Sequence, residues 1–347
     1  MMIFQNTHID TYTPYTIHAI QPEYPTNRTF AILKVKKKLT ETTKPQKTSS
    51  RSINMSVPTW LITGASSGFG EAIAKDALSR GHTVIATARS ANCLKHLAEL
   101  GAKTMALDVT ASDAELASKM AEIGTVTHVL NAAGYLLEAA MEEATAAESE
   151  AIYRTNVLGA VNITKAVMPG LRAVAADGSA GVQPVIAHFG SLGSWIGGAA
   201  VAHYCSTKWA VSGLCEGIRE EVSEFGIAAC TIEPGYFRTE ILNTAGGKSR
   251  RVQASEPKSD IYGEDSAVGK YKAALELSNN KQPGDVLKGA KVTVDVLTKT
   301  GVAEGKEIPP RLVLGSDAVD VIRKKCQETL KLLEEWEDIA KSTGYDE

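Results

Sequence analysis

Between residues 57 and 315, short apolar runs alternate with stretches in which apolar positions recur every three or four residues. That is the pattern of strands alternating with helices. The first run, Trp60-Leu61-Ile62, reads as a buried strand, and Ala72, Ile73, Ala77 and Leu78 follow it at helical spacing. Further strands are expected at 82–89, a β-branched run closing on Arg89, and at 103–107, 126–131, 182–191, 227–233 and 311–315. Helices are expected over 91–100 and along a stretch carrying Ala151, Ile152, Val157, Ala160, Val161 and Val167 that runs to Pro169. Two more follow over 201–225 and from Pro283 through Val294 and Leu297. Alternation of this kind predicts an α/β domain over 55–315, a doubly wound parallel sheet covered on both faces, with its ligand at the strands' C-terminal edge.

Three segments depart from the pattern. Residues 1–54 mix Thr, Pro, Lys and Asn without a sustained period, lack the apolar core of a secretory signal and are read as a disordered extension. A start at Met55, where the domain begins, is an alternative. Residues 244–282 are polar, rich in Gly, Ser and Lys, and too long for an ordinary connection; a lid or an insertion is expected. In the tail, 316–347, one amphipathic helix carries Val319, Ile322, Cys326, Leu330, Leu333 and Trp336 on a shared face, expected to pack on the domain or, second, on a partner subunit.

Composition narrows the class. Apolar residues make up 44% of the 347 and charged residues 22%, enough to bury a full core. A net charge of -3 gives no reason to expect nucleic acid, and no apolar run reaches membrane-spanning length. The five cysteines form no C-x-x-C pair and are read as reduced, mostly buried thiols of a cytoplasmic protein.

The chemistry concentrates in two places. After the first strand comes Thr63-Gly64-Ala65-Ser66-Ser67-Gly68-Phe69-Gly70, opening a helix. Gly64 permits a tight turn, Gly68 lets backbone approach a pyrophosphate, and Gly70 lets the helix pack close to the sheet. The free N–H groups at the helix start then face phosphate, as in a Rossmann-fold dinucleotide site. The second place is His203-Tyr204-Cys205-Ser206-Thr207-Lys208, where Tyr204 and Lys208 share a helix face. A phenol is a weak acid at neutral pH, and a nearby ammonium favours its phenolate. Ser191 ends the fifth strand, at the edge where a ligand would lie, and Asn156 sits mid-helix, where Asn is a poor helix former.

Taken together, TGxxxGxG, N-x-A-G and Y-x-x-x-K, in that order over residues 57–315, resemble the short-chain dehydrogenase/reductase family. The run from Lys281-Gln282-Pro283-Gly284-Asp285 to Arg311-Leu312-Val313-Leu314-Gly315 looks like a fungal and bacterial subgroup of it. The resemblance implies that Tyr204 is the general acid or base. Lys208 would hold the nicotinamide ribose and lower the Tyr204 pKa, Ser191 would bond the substrate oxygen, and Asn156 would position a water in a relay to Lys208. For the cofactor it implies contacts from Gly64, Ser66, Ser67, Gly68, Phe69 and Gly70, from Asp108 and Val109 near the adenine, and from Asn131, Ala132 and Gly134. Pro234, Gly235 and Thr239 complete the set at the carboxamide end. Two departures, Ala132 where the family more often has Asn and Cys205 where it has Ser, remove no catalytic group.

Cofactor choice follows from charge. A carboxylate at the end of the second strand would repel a 2′-phosphate, whereas Ala88 is followed by Arg89, whose guanidinium suits one. NADP(H) is therefore preferred over NAD(H). Trp195, Tyr135, Leu136, Leu137, Tyr236 and Phe237 follow strand ends and suggest an apolar carbonyl or alcohol as substrate. His188 and His203 are read as packing or surface residues. The expected activity is interconversion of a carbonyl and an alcohol. A non-enzymatic NADP(H) sensor and a dehydratase or epimerase using the same tyrosine are the alternatives, and assembly into a homo-oligomer is left open.

Overall fold

The β-branched and apolar runs pair edge to edge, and the central ones are buried on both faces. The computed structural model describes residues 57–178, 181–244 and 250–345; the extension expected over 1–54 and the start at Met55 lie outside them. Seven parallel strands form the main sheet: β1 (Thr59–Thr63), β2 (Thr83–Ala88), β3 (Lys103–Ala106), β4 (His128–Asn131), β6 (Val185–Phe189), β7 (Ala228–Pro234) and β9 (Arg311–Leu314). Their order is β3-β2-β1-β4-β6-β7-β9, so the chain reverses its direction of travel across the sheet between β1 and β4. The crevice at that reversal is where α/β sheets bind ligands. β5 (Leu136–Glu138) and β8 (Arg251–Gln253) make a separate parallel pair.

Helices α1 (Gly68–Ser79) and α8 (Val286–Thr298) cover one face, closing over Trp60, Ile62, Leu130 and Ala187. On the other face α3 (Asp113–Ile123), α5 (Gly159–Asp177) and α6 (Ala202–Ser223) close over Leu61, Val129 and Ile186. Fully buried side chains such as Ile73, Leu116, Ile163 and Leu171 each contribute about 1.5–3 kcal/mol. Caps set the helix starts: the Ser112 hydroxyl accepts from Glu115 N–H at the head of α3, and the Asp285 carboxylate accepts from Leu287 and Lys288 N–H at the head of α8.

Several boundaries differ from expectation. The segment 91–100 is a 3₁₀ turn followed by the short α2 (Lys95–Ala98). The long helix expected to run to Pro169 is α4 (Ala146–Tyr153), a π-turn at Arg154–Leu158, and α5, which continues past Pro169 to Asp177. Leu171, fully buried beyond the proline, holds those last turns to the core and outweighs the lost N–H bond. α3, β5 and β8 have no counterpart in the sequence reading.

The insertion is ordered where it is described. It supplies β8 and α7 (Ala267–Ser278), and Arg251 is buried against Glu138 at 2.5 Å, with Gln253 donating to the same carboxylate. Lys272 of α7 reaches the buried Glu143 at 2.8 Å. The tail forms α9 (Ser316–Lys341), but the expected packing on the domain is confined to its first turns: only Ala318 is buried.

Candidate active site

Three strand ends and the start of α1 converge at the β1/β4 reversal. The Thr63 hydroxyl accepts from the backbone N–H groups of Ala132 and Ala133, tying the end of β1 to the loop after β4. Gly64 has φ +65°, and a Cβ there would lie 2.7 Å from Ala132 and Ala133 backbone atoms, so only glycine fits. A Cβ at Gly70 would come within 2.6 Å of the Gly64 carbonyl oxygen, which is the close helix approach the motif predicts.

The open cleft above this junction measures about 2030 Å³ with the solvent at its mouth included, room for a dinucleotide. Of the expected cofactor residues, Gly64, Ser66, Ser67, Gly68, Phe69, Gly70, Arg89, Asp108, Val109, Ala132, Gly134, Lys208, Pro234, Gly235 and Thr239 all line it. The Phe69 ring packs against Phe189 and Phe237, with centroids 5.2 and 5.0 Å apart, and all three residues line the cleft. Asp108 accepts from Thr110 N–H and hydroxyl, both at 2.8 Å, and so shapes the turn it lines. Asn131 is buried at the end of β4, donates to Thr164, and is not among the residues lining the cleft.

A second, smaller cavity adjoins the first. Ser191, Tyr204, Gly235, Phe237 and Ile241 line both and form the shared wall. Among the sequence-stretch candidates, Leu136, Tyr236 and Phe237 line this second cavity, whereas Tyr135 and Leu137 line the cleft. Trp195 does neither: its indole N–H donates to the buried Glu233 at 2.7 Å, and Arg311 stacks over its ring. Among the described residues, no Asp, Glu, Lys, Arg or His lines the second cavity.

Within the shared wall, Ser191 starts the turn after β6, where its hydroxyl accepts from Gly193 N–H at 3.1 Å, and it lies beside Tyr204. Lys208, one turn along α6 from Tyr204, donates to the Phe189 carbonyl at 2.8 Å and sits 5.6 Å from the centre of the tyrosine ring. Burial pushes the Tyr204 phenol up to about 12, with Ser191 beside it pulling the other way. Burial pushes the Lys208 ammonium down to about 8. The expected lowering of the phenol by Lys208 is therefore not found: desolvation of both groups outweighs their interaction. His188, buried behind Lys208, is pushed down to about 4 by burial and then by the lysine's charge, and stays neutral at pH 7.

Asn156 lies in the π-turn and is buried. Its amide nitrogen donates to the Tyr135 carbonyl and the Thr207 hydroxyl, and its amide oxygen accepts from Tyr135 N–H. These bonds fix the loop after Gly134 and tie it to α6, and the amide oxygen keeps a second lone pair as an acceptor. The Thr207 hydroxyl in turn donates to the Tyr204 carbonyl at 2.7 Å, which links Asn156 to the catalytic helix.

Some site residues were not anticipated. Arg250, from the insertion, lines the cleft and donates to the Ser66 hydroxyl at 3.1 Å. Tyr271 and Gln282 line the second cavity, and both polar atoms of the Gln282 amide are buried without a protein partner. All three lie in or beside the aperiodic polar stretch, where no sequence spacing marks them.

The family model described as short chain dehydrogenase matches residues 58–249. Among curated proteins, the chain is 33% identical over 291 residues to oxidoreductase BOA17 of Botryotinia fuckeliana, covering 81% of this chain and 97% of that one. It is 34% identical over 200 residues to an NADPH-dependent pterin aldehyde reductase of Arabidopsis thaliana, 55% of this chain and 79% of that one. Among solved structures, a short-chain dehydrogenase from Streptomyces avermitilis superposes with a TM-score of 0.70 at 31% identity, over 84% of this chain and all of that one.

Proposed function

The chain belongs to the short-chain dehydrogenase/reductase family, and from that premise we propose that it is an NADP(H)-dependent oxidoreductase interconverting a carbonyl and an alcohol on a small, neutral, apolar substrate. The observation that carries this reading is the shared wall: Tyr204 and Ser191 border both the dinucleotide-sized cleft and the uncharged cavity, with Lys208 on the cleft side.

When bound, the dinucleotide supplies or accepts the hydride; the protein's part is binding and proton handling. The glycine turn and the N-terminus of α1 receive the pyrophosphate. Arg89 and Arg250 bring guanidinium groups to the cleft wall, and Arg89 selects the 2′-phosphate. In reduction, Ser191 hydrogen-bonds the carbonyl oxygen and Tyr204 gives that oxygen its proton as negative charge develops. Lys208 holds the ribose hydroxyls. With its pKa near 8 against about 12 for the phenol, it is also the stronger acid of the pair and the direction from which Tyr204 regains a proton. Asn156 acts as a positioning residue, holding Tyr135 and Thr207 in place around that pair. The carrying of NADPH in the name of the Arabidopsis relative supports the cofactor choice.

The test is cofactor oxidation followed by absorbance on a panel of neutral apolar ketones and aldehydes. Turnover with at least one, lost in Tyr204→Phe, is expected. Tight NADPH binding with no turnover on any member would instead favour the sensor reading, and a Tyr204→Phe variant as fast as the parent would overturn the mechanism.

A further inference from the structure

Among the described residues, three side-chain cations line the cleft: Arg89 at the end of β2, Lys208 on α6, and Arg250 from the insertion. The turn that receives phosphate supplies none of them, because Thr63 to Gly70 contains no Lys or Arg. Ser67, the residue before α1, makes no side-chain bond to the helix's first N–H groups. An uncapped helix start draws an anion, and a cation brought up to it strengthens the hold. Arg250 is that cation. Its Nη2 donates to the Ser66 hydroxyl at 3.1 Å, across 184 positions of sequence.

The backbone at Arg250 is tied down on both sides. Its carbonyl accepts from Leu136 N–H at 2.8 Å, and its own N–H donates to the Asn243 carbonyl at 3.2 Å. The next residue, Arg251, is buried on Glu138. Successive side chains of an extended segment point opposite ways, so with Arg251 turned into the protein Arg250 is presented to the cleft. Thr239 shows where the same stretch crosses the helix: a Cβ on Gly68 would lie 3.5 Å from Thr239 Cβ. The contacts at Thr239 and Arg250 therefore bracket Ser67 and Gly68, the start of α1, whereas Arg89 stands apart at the end of β2. We propose that Arg250 grips the cofactor's pyrophosphate from the insertion side of the cleft. The inference rests on the dinucleotide reading above and divides the labour within it: Arg89 takes the 2′-phosphate, and Arg250 takes the group that NADPH and NADH share. A guanidinium has five N–H donors, so the bond to Ser66 and a forked contact to phosphate are compatible.

Fluorescence titration of the full chain with NADPH and NADH, with ADP and adenosine as competitors, tests the assignment. Arg250→Gln should weaken NADPH, NADH and ADP by about tenfold each, as loss of a charge-assisted contact does, and should leave adenosine, which has no phosphate, within about twofold. Arg250→Lys, which keeps the charge and loses the fork, should lose less than Arg250→Gln. The melting temperature of cofactor-free Arg250→Gln should match the parent, while the rise produced by a fixed NADPH concentration should be smaller. A loss confined to NADPH would put Arg250 at the 2′-phosphate and overturn the proposal. Equal losses for ADP and adenosine would make the residue a strut for the Ser66 turn, and unchanged titrations would make it a solvated surface charge. Each of these overturns the proposal while cofactor binding by the parent stands; a parent that binds neither cofactor would overturn the reading of the cleft as well.

Discussion

Lys208 and Tyr204 lie one helical turn apart, and the protein drives their proton affinities apart: the ammonium down to about 8 and the phenol up to about 12, both chiefly through burial. The lysine nitrogen is 5.6 Å from the ring centre and bonded to the Phe189 carbonyl, so it meets the phenol as a neighbouring charge and not as a direct partner. Lysine is then the first of the two to lose its proton as pH rises. The expected outcome is a carbonyl-reduction rate that is flat below pH 8 and falls above it as Lys208 deprotonates. Replacing Lys208 by Arg, which does not titrate there, should move that descending limb upward by at least two pH units even if the plateau drops. A limb that stays at the same pH in Lys208→Arg would assign it to another group.

The same shift has a consequence for stability. A lysine whose folded pKa lies below its unfolded value releases a proton on folding, so below pH 8 its charge opposes folding in full, and the cost fades as pH rises from 8 to 10.5. Lys208→Met should therefore be at least as stable as the parent at pH 7, by up to about 3 kcal/mol, with the difference gone near pH 10.5. Denaturant melts of the cofactor-free chain at the two pH values check it; a variant less stable at pH 7 would show that the Phe189 bond outweighs the desolvation.

Arg89 stands exposed at the end of β2 on the wall of the cleft. A charge-assisted bidentate contact to a phosphate is worth about 1.5–3 kcal/mol, so Arg89→Ala should weaken NADPH binding by about 10- to 100-fold and NADH binding by far less. Fluorescence titration of both cofactors reads the ratio without any substrate, and equal losses would remove the NADP assignment.

How legible these features were depended on whether a residue's place follows from a strand end. Gly64, Ser191, Tyr204 and Lys208 each stand at a fixed offset from β1, β6 or the start of α6, and the alternation of apolar runs locates those elements. Glu138 and Arg251 are 113 residues apart, meet only after the fold has formed, and order the insertion through one buried ion pair that no local period records. Arg250, Tyr271 and Gln282 owe their positions to that pair and its surroundings. Asn156 was recognisable as odd in a helix, but its bonds to both Tyr135 backbone groups depend on the π-turn, which propensity does not foretell.

The Glu138–Arg251 pair carries its own expectation. Both side chains are nearly fully buried, so removing the carboxylate leaves a guanidinium short of its main counter-charge in a dry site. Glu138→Ala should cost about 3 kcal/mol, or a fall in Tm of about 6–12 °C, while Glu216→Ala, which loses an exposed partner of Arg311, should cost under about 1 kcal/mol. Equal losses in calorimetry would show that the pair is a passenger in the β5–β8 ribbon.

The cavity beyond Tyr204 is lined by apolar side chains, by the hydroxyls of Ser191, Tyr204, Tyr236 and Tyr271, and by Gln282, a residue 2% exposed whose amide meets no partner among the described residues at either its oxygen or its nitrogen. Leaving a buried donor and acceptor unmet is costly, and a substrate that meets them recovers that cost on binding. With no ionisable partner other than phenols and the Cys205 thiol among the described residues of the lining, the group expected to do so is neutral, a hydroxyl or a carboxamide set apart from the reacting carbonyl. The expectation is that apolar ketones bearing such a group are turned over more efficiently than the same ketones without it, by about tenfold in kcat/KM per hydrogen bond gained. Gln282→Leu should erase that preference while leaving the plain apolar ketones unchanged or improved, since leucine removes the unmet amide and keeps the volume. If the variant lost both classes equally, Gln282 would be holding the loop before α8 in shape; if it lost neither, the amide would be satisfied by solvent and the cavity would read its substrates by apolar fit alone.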